Sequence, residues 1–357
     1  MSRSVSIITL GCPKNSVDSG QISGYLFREG YRLTDDFSQT EIIIVNTCGF
    51  IEEAKKESIE TILDCISMKE QGNCRYLVVT GCLVQKYAEE LARELPEVDL
   101  FLGAGDIPSL PALLAALQPG NRVSQVGDPG NYLFDDEVPL IPEHIRHYAY
   151  LKIADGCDNC CSYCAIPLMR GRFRSRRLES VVREAKELAA LGTKELILVA
   201  QDTTLYGIDL YGEYSISRLI KELVRIQGIE WIRLLYCYPN HITDELLETV
   251  RDEPKVCKYL DIPLQHISDP ILRAMRRPIT KLEIVELLQK VRKMIPGVTL
   301  RSTFIVGFPG ETEENFQELL AFLKEVRFER AGFFAYSAEP DTPAAKMPGQ
   351  IPEDLKA

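Results

Sequence analysis

Four cysteines fall within eight residues in GCDNCCSYC, Gly156 to Cys164. Two triplets can be drawn through them. Cys157, Cys161 and Cys164 give C-x-x-x-C-x-x-C, whereas Cys157, Cys160 and Cys164 give C-x-x-C-x-x-x-C. Thiolates at either spacing are soft donors of the kind that hold iron–sulfur clusters. A second set is dispersed along the chain. Cys12, Cys48 and Cys82 each close a short apolar run: VSIITLGC, IIIVNTC and LVVTGC. Parallel α/β sheets build their sites at the carboxyl ends of strands, so three cysteines at equivalent strand ends can share one site. A buried cysteine acting as a small hydrophobe explains one such position better than three. Structural zinc usually takes four protein ligands, often from paired C-x-x-C knuckles. Here each loop offers one cysteine, which favours an iron–sulfur cluster with one iron left open. The C-x-x-C-x-x-C-x-x-x-C-P run of a ferredoxin-like electron carrier is absent. Cys65, Cys74, Cys237 and Cys257 show no ligand grouping and read as packing residues.

The elements that position these cysteines follow from hydrophobic pattern. The three N-terminal runs are continuously apolar, as strands buried on both faces are. Helical patterns follow at Asp18–Glu29, Glu52–Met68 and Gln85–Glu94. VDLFLGA, residues 98–104, predicts a further strand, and PSLPALLAAL, residues 108–117, a last helix. Alternating strands and helices imply a doubly wound, flavodoxin-like parallel sheet over residues 1–118. Residues 119–146 are rich in Pro, Gly and Asp and read as a linker, with a short hairpin predicted around Arg122 to Val126. From residue 147 a second series begins. YLKIADGC, ELILVAQD, WIRLLYCYP, YLDIPLQH, LRSTFIVGFPG and AGFFAYS are its strands. Helices are predicted at 178–191, 216–227, 244–251, 281–295 and 313–326. Six βα units are too few for an eight-fold barrel and fit an open, partial (βα)6 barrel over residues 147–357.

Bulk properties narrow the partners. The 357 residues carry 41 basic and 52 acidic side chains, a formal charge of −11. Such a balance disfavours a general nucleic-acid binder, which needs phosphate-neutralising charge, and favours a small molecule or a basic protein. No apolar run approaches the roughly 20 residues that span a bilayer, and the N-terminus lacks a signal-peptide layout. A cytoplasmic protein is expected. Eleven cysteines under reducing conditions point to metal or redox chemistry rather than disulfides.

A cysteine triplet on the loop after the first strand of a partial barrel resembles the radical S-adenosylmethionine (radical SAM) superfamily. In that superfamily three cysteines hold a 4Fe–4S cluster whose fourth iron takes SAM, and an aromatic residue precedes the third cysteine near the adenine. Tyr163 occupies that slot. The resemblance therefore selects Cys157, Cys161 and Cys164 and leaves Cys160 out. Adjacent residues cannot easily both reach one cluster, so the Cys160 thiol is expected to point away. Nearly the whole chain resembles the methylthiotransferases, a subfamily with a second cluster. TLGCPKNSVDS, VNTCGFIEEAKKESI and VTGCLVQKY are similar to its three auxiliary-cluster segments. HYAYLKIADGCDNCCSYCAIPLMRG, YLDIPLQHISDPILRAMRR and TLRSTFIVGFPGETEENF are similar to its radical SAM domain. The wording LGCPKN, NTCGFIEEA and AQDT is similar to the branch that modifies a ribosomal protein. The tRNA-modifying branch typically reads more like GCQMN and GQNV.

The resemblance implies two 4Fe–4S clusters, two SAM per turnover and transfer of CH₃S to the β-carbon of an aspartate in the twelfth small-subunit ribosomal protein. It also implies a reductant protein such as flavodoxin or ferredoxin. Methylthiolation of a tRNA adenosine is the alternative reading; a non-catalytic iron–sulfur electron-transfer module is an alternative of a different class. Family members normally end in a small β-barrel TRAM domain, and these 357 residues are expected to contain none.

Other residues at strand ends are weighed individually. Gln201 and Asp202 end the second barrel strand, where SAM or substrate contacts are expected. Gln265 ends the fourth with His266, which reads either as a cleft pair or as a structural hydrogen-bonded one. His241 is a weaker candidate. Gly307 and Gly310, in GFPGE, follow the fifth strand and would let a ligand approach the backbone, or simply form a turn. The one dense basic stretch, Arg170 to Arg177, reads as a solvated helix start, as a carboxylate-binding fork, or as a contact to ribosomal RNA.

Overall fold

The computed structural model describes residues 3–72, 74–138, 141 and 147–356. The chain divides into two compact units. The first comprises residues 1–145 together with 166–172, and the second comprises 146–165 and 173–357. Most of the predicted linker falls in the first unit, and its residues 139–140 and 142–146 lie outside the described residues.

The first unit runs β1 (Ser4–Thr9), α1 (Pro13–Arg28), β2 (Arg32–Leu33), β3 (Ile42–Thr47), α2 (Glu52–Gln71), β4 (Tyr76–Gly81), α3 (Cys82–Glu94), β5 (Leu100–Leu102), α4 (Leu110–Ala116) and β6 (Val123–Gln125). Its sheet is parallel, in the order β2-β1-β3-β4-β5-β6. Every residue of β3 and β4 is buried because the sheet is covered on both faces. Strand alternation divides the apolar side chains between two cores. Ile42, Ile44, Tyr76 and Val78 pack with Ile22 and Leu26 of α1 and Leu110 and Leu114 of α4. Ile43, Val45, Leu77 and Val79 pack with Ile62 and Ile66 of α2 and Leu83 and Leu91 of α3. The expected hairpin near residue 122 is instead β6, a single strand added parallel to β5. A short β run beside turn residues looks the same in sequence whichever partner it finds.

The second unit contains β7 (Tyr148–Lys152) and β8 (Ala154–Asp155). The excursion α5 (Ile166–Arg170) follows in the chain but belongs to the first unit. The second unit continues with β9 (Arg174–Ser175), α6 (Leu178–Ala190), β10 (Glu195–Val199), α7 (Ile208–Tyr211), α8 (Ile216–Leu223), β11 (Trp231–Leu234), α9 (Asp244–Asp252) and β12 (Val256–Asp261). It ends with α10 (Asp269–Ala274), α11 (Lys281–Met294), β13 (Thr299–Val306), α12 (Glu313–Val326), β14 (Arg330–Ala335) and α13 (Glu353–Lys356). Six parallel strands lie in chain order, β7-β10-β11-β12-β13-β14. The first and last do not pair, so this is the open partial barrel expected. A two-residue antiparallel ladder between β8 and β9 was not legible, being too short to show a period.

Candidate functional site

In the first unit, the order β2-β1-β3 reverses direction between β1 and β3, the topological switch point where such sheets bind ligands. Cys12 follows β1 as the residue capping α1, Cys48 follows β3, and Cys82 opens α3. Two of the three cysteines thus stand at helix N-termini. The loops are drawn together through glycine. Gly11 has φ +87°, and a Cβ there would lie 2.6 Å from Cys48 Cβ. Gly81 has φ +98°, and a Cβ there would lie 2.5 Å from the Thr47 carbonyl oxygen.

Hydrogen bonds fix the same loops. Asn15 Nδ2 donates to the carbonyls of Leu10 (2.8 Å) and Thr47 (3.0 Å). Ser58 Oγ accepts from the Cys48 amide (3.1 Å) and donates to its carbonyl (2.9 Å). Thr47 Oγ1 donates to the Thr80 carbonyl at 2.6 Å. Burial pushes the Cys82 thiol up to about 11, against the pull of the Arg170 guanidinium, and the Cys12 and Cys48 sulfurs add to the rise. Burial raises the Cys48 thiol as well. The three sulfurs therefore sense one another. Among the described residues, no three metal-ligating side chains converge on a single ion. Three thiolates, each from its own loop, are a soft donor set of the kind an iron–sulfur cluster takes.

In the second unit the loop 156–164 leaves the carboxyl end of the first barrel strand. Gly156 N donates to Asp155 Oδ1 (2.9 Å), and Ser162 Oγ donates to the Ala274 carbonyl (2.7 Å). Ser162 N also donates to the Met275 carbonyl (3.0 Å), anchoring the loop beyond β12. Cys160 is the exposed cysteine, with φ +50°, while Cys157, Cys161 and Cys164 are each partly covered. Burial lifts the Cys157 thiol to about 11. Arg277, 4% exposed, places Nη1 3.9 Å from Cys161 Sγ and lays its guanidinium over the Tyr238 ring at 4.6 Å. Tyr163 packs beside Ile271, Met275, Phe308 and Tyr336, and burial raises its phenol well above the usual value.

The expected SAM contacts divide. Gln201 donates through Nε2 to Asp155 Oδ1 (2.8 Å), and its buried Oε1 has no partner among the described residues. That orphaned acceptor fits a bound ligand with N–H or O–H groups. Asp202 is fully buried and already engaged. Its Oδ1 accepts from Thr204 N, Thr204 Oγ1 and Leu205 N, and its Oδ2 from Asn159 Nδ2 (3.1 Å). His241 Nδ1 lies 2.8 Å from the same Oδ2, its ring stacked on Tyr238. Asp202 therefore ties the cysteine loop to the end of the second barrel strand. Gln265, at φ +73°, bridges to Phe304 through its backbone. His266 is buried between Ser268 N (3.0 Å) and Glu311 Oε1 (3.3 Å), the structural one of its two readings. The space above Gly307 is filled by Lys356, whose Cγ a Cβ would meet at 2.4 Å, whereas Gly310 faces open space.

The basic stretch is corrected most. Arg170 and Arg176 are buried, not solvated, because each meets a carboxylate of this chain: Asp18 for Arg170 and Glu184 for Arg176. Arg172 and Arg177 remain exposed. Sequence reasoning missed Arg277 and Asn159 altogether. The only signal was position: Asn159 lies inside the cysteine loop and Arg277 beyond the fourth barrel strand.

Residues 151–323 match the model of the Radical SAM superfamily, and residues 4–103 match that of Uncharacterized protein family UPF0004. The chain is 54% identical over 353 residues to the ribosomal protein uS12 methylthiotransferase RimO of Geotalea uraniireducens, covering 99% of this chain and 79% of that one. It is 54% identical to the protein of the same name from Geobacter sulfurreducens, with the same coverage, and 52% identical to that of Heliobacterium modesticaldum, covering 76% of it. Among solved structures, the radical S-adenosylmethionine methyltransferase TsrM of Kitasatospora setae superposes with a TM-score of 0.71 at 17% identity, over 96% of this chain and 74% of that one. The cobalamin-dependent radical enzyme OxsB gives 0.63 at 14% identity, over 96% and 54%. These structural likenesses speak to the fold. The fold and the cysteine loop define a radical SAM enzyme of the methylthiotransferase class. Within that class the chain belongs to the ribosomal protein uS12 methylthiotransferase RimO family.

Proposed function

We propose that this chain attaches a methylthio group to the β-carbon of an aspartate in ribosomal protein uS12, using two 4Fe–4S clusters and two SAM per turnover. The observation that carries the reading is 54% identity over 99% of the chain to a uS12 methylthiotransferase, with both cysteine sets at strand ends. Cys12, Cys48 and Cys82 would hold an auxiliary cluster, and Cys157, Cys161 and Cys164 the SAM-binding one. SAM and the clusters, when bound, supply the radical chemistry that an unactivated C–H bond requires and that acid–base side chains cannot.

The chain's own residues place the reactants. Asp202, through Asn159, fixes the cysteine loop. The Gln201 amide oxygen and the Gly310 backbone offer SAM its polar and close contacts, with Tyr163 supplying an apolar wall. Gln265 holds its strand end in register with β13 from a left-handed backbone. Arg277 places a positive charge beside Cys161. Among the described residues, no helix is long and apolar enough to cross a membrane. A cytoplasmic enzyme, reduced by a flavodoxin or ferredoxin and acting on a basic ribosomal protein rather than tRNA, suits the charge of −11.

Iron and sulfide analysis of wild type and two triple alanine variants tests the reading. Replacing Cys12, Cys48 and Cys82, or Cys157, Cys161 and Cys164, should each remove about half of the iron. Full retention in either variant defeats the two-cluster assignment. Mass spectrometry of uS12 after incubation with reduced enzyme, SAM and sulfide should show one added methylthio group.

A further inference from the structure

Arg170 stands six residues after Cys164 in the chain, yet it is a buried residue of the first unit, 5% exposed. Its Nε donates to Cys82 Sγ at 3.2 Å. Its Nη2 donates to Asn15 Oδ1 at 2.5 Å, and its Nη1 to the carboxylate of Asp18, itself 2% exposed. Asn15 in turn grips the carbonyls of Leu10 and Thr47, just before Cys12 and Cys48. One guanidinium thus touches one sulfur directly and the other two ligand loops through a single amide.

Burying a charged group is expensive, and an apolar side chain of similar volume would fill the space at lower cost. What an apolar residue lacks is a charge-assisted donor aimed at sulfur. A planar fork holds its donors in fixed, separate directions toward sulfur, amide and carboxylate, which the single ammonium of a lysine does not. Hydrogen bonds to cluster sulfurs, and net charge nearby, set an iron–sulfur potential, more strongly where water is excluded.

We propose that Arg170 is a positioning residue that tunes the auxiliary site: its guanidinium donates to the Cys82 sulfur and raises the reduction potential of the cluster held there, with Asp18 offsetting part of its charge. The proposal rests on the reading of Cys12, Cys48 and Cys82 as cluster ligands.

The test uses the full chain in the Cys157/Cys161/Cys164→Ala background, so that only the auxiliary site is loaded, with a potential titration followed by EPR. Arg170→Gln removes a positive charge and a sulfur donor, so the midpoint should fall. The expected change is about tenfold in the oxidised-to-reduced ratio at fixed potential, or about 59 mV for one electron. Asp18→Asn removes the opposing charge, so the midpoint should rise. Arg170→Lys should recover part of the loss. A packing defect would not shift the two variants in opposite directions. Unchanged midpoints with iron retained, or shifts of the same sign, overturn the proposal. If Arg170→Gln takes up no iron, Asp18→Asn decides alone: a rise supports the proposal and any other result overturns it. A parent that binds no iron removes the auxiliary-cluster reading itself, and the proposal with it.

Discussion

Cys160 and Cys161 are neighbours in the chain with different surroundings. Cys160 sits exposed with a left-handed backbone. Cys161 lies near Arg277 and beside Tyr163. Cys160→Ser should therefore keep both iron and activity, whereas Cys161→Ser should lose the iron of the second unit. Iron content per chain, with 5′-deoxyadenosine formation from SAM, measures both. The reverse pattern would select the other register. Arginines separate in the same way. In the stretch from 170 to 177, side chains of one type end in buried ion pairs or on the surface according to which carboxylates the fold brings near.

At the scale of elements, the auxiliary set depends on three strand-to-helix turns coming closer than side chains ordinarily permit. Gly81 is the critical turn, since a methyl group there meets Asn46 Oδ1 and the Thr47 carbonyl oxygen, both at 2.5 Å, in addition to the penalty of positive φ. Gly120 has a similar φ of +83° but nothing within 4 Å. Gly120→Ala should thus cost only the left-handed penalty, about 1–2 kcal/mol. Gly81→Ala should cost clearly more and deplete iron from the first unit. Urea unfolding of the two variants, paired with iron analysis, separates close approach from strain. The stretch β3-turn-α2 shows why these turns are stiff, with the Ser58 hydroxyl bonding both the amide and the carbonyl of Cys48.

For the molecule as a whole, the consequential fact is that the first unit is discontinuous. Residues 166–172 belong to it although the neighbouring residues on both sides belong to the second unit. In the full chain Arg170 and Asp18 form a buried pair. Removing one partner of a buried pair typically costs about 3–5 kcal/mol. Arg170→Ala should accordingly destabilise the full chain by that order, whereas Arg172→Ala, at an exposed position of the same excursion, should cost clearly less. Denaturant unfolding of the two variants checks this, and equal losses would refute it.

Much of this protein was written in its sequence. Apolar β-branched runs, each closed by a cysteine, determined the parallel strands and put Cys12, Cys48 and Cys82 at their carboxyl ends. Six strand patterns determined the partial barrel and the loop carrying Cys157, Cys161 and Cys164. Periodicity and spacing are local properties, and they survive reading along a line. What only the tertiary structure decided is which distant groups meet. That Arg170 returns to the first unit, that Asp202 is consumed by Asn159 and His241, that Lys356 covers Gly307, and that Arg277 stands beside Cys161 all depend on contacts between residues far apart in the chain. A charged side chain has no period to reveal its partner. Its role is set by what shares its buried, low-dielectric surroundings, and folding alone assembles those.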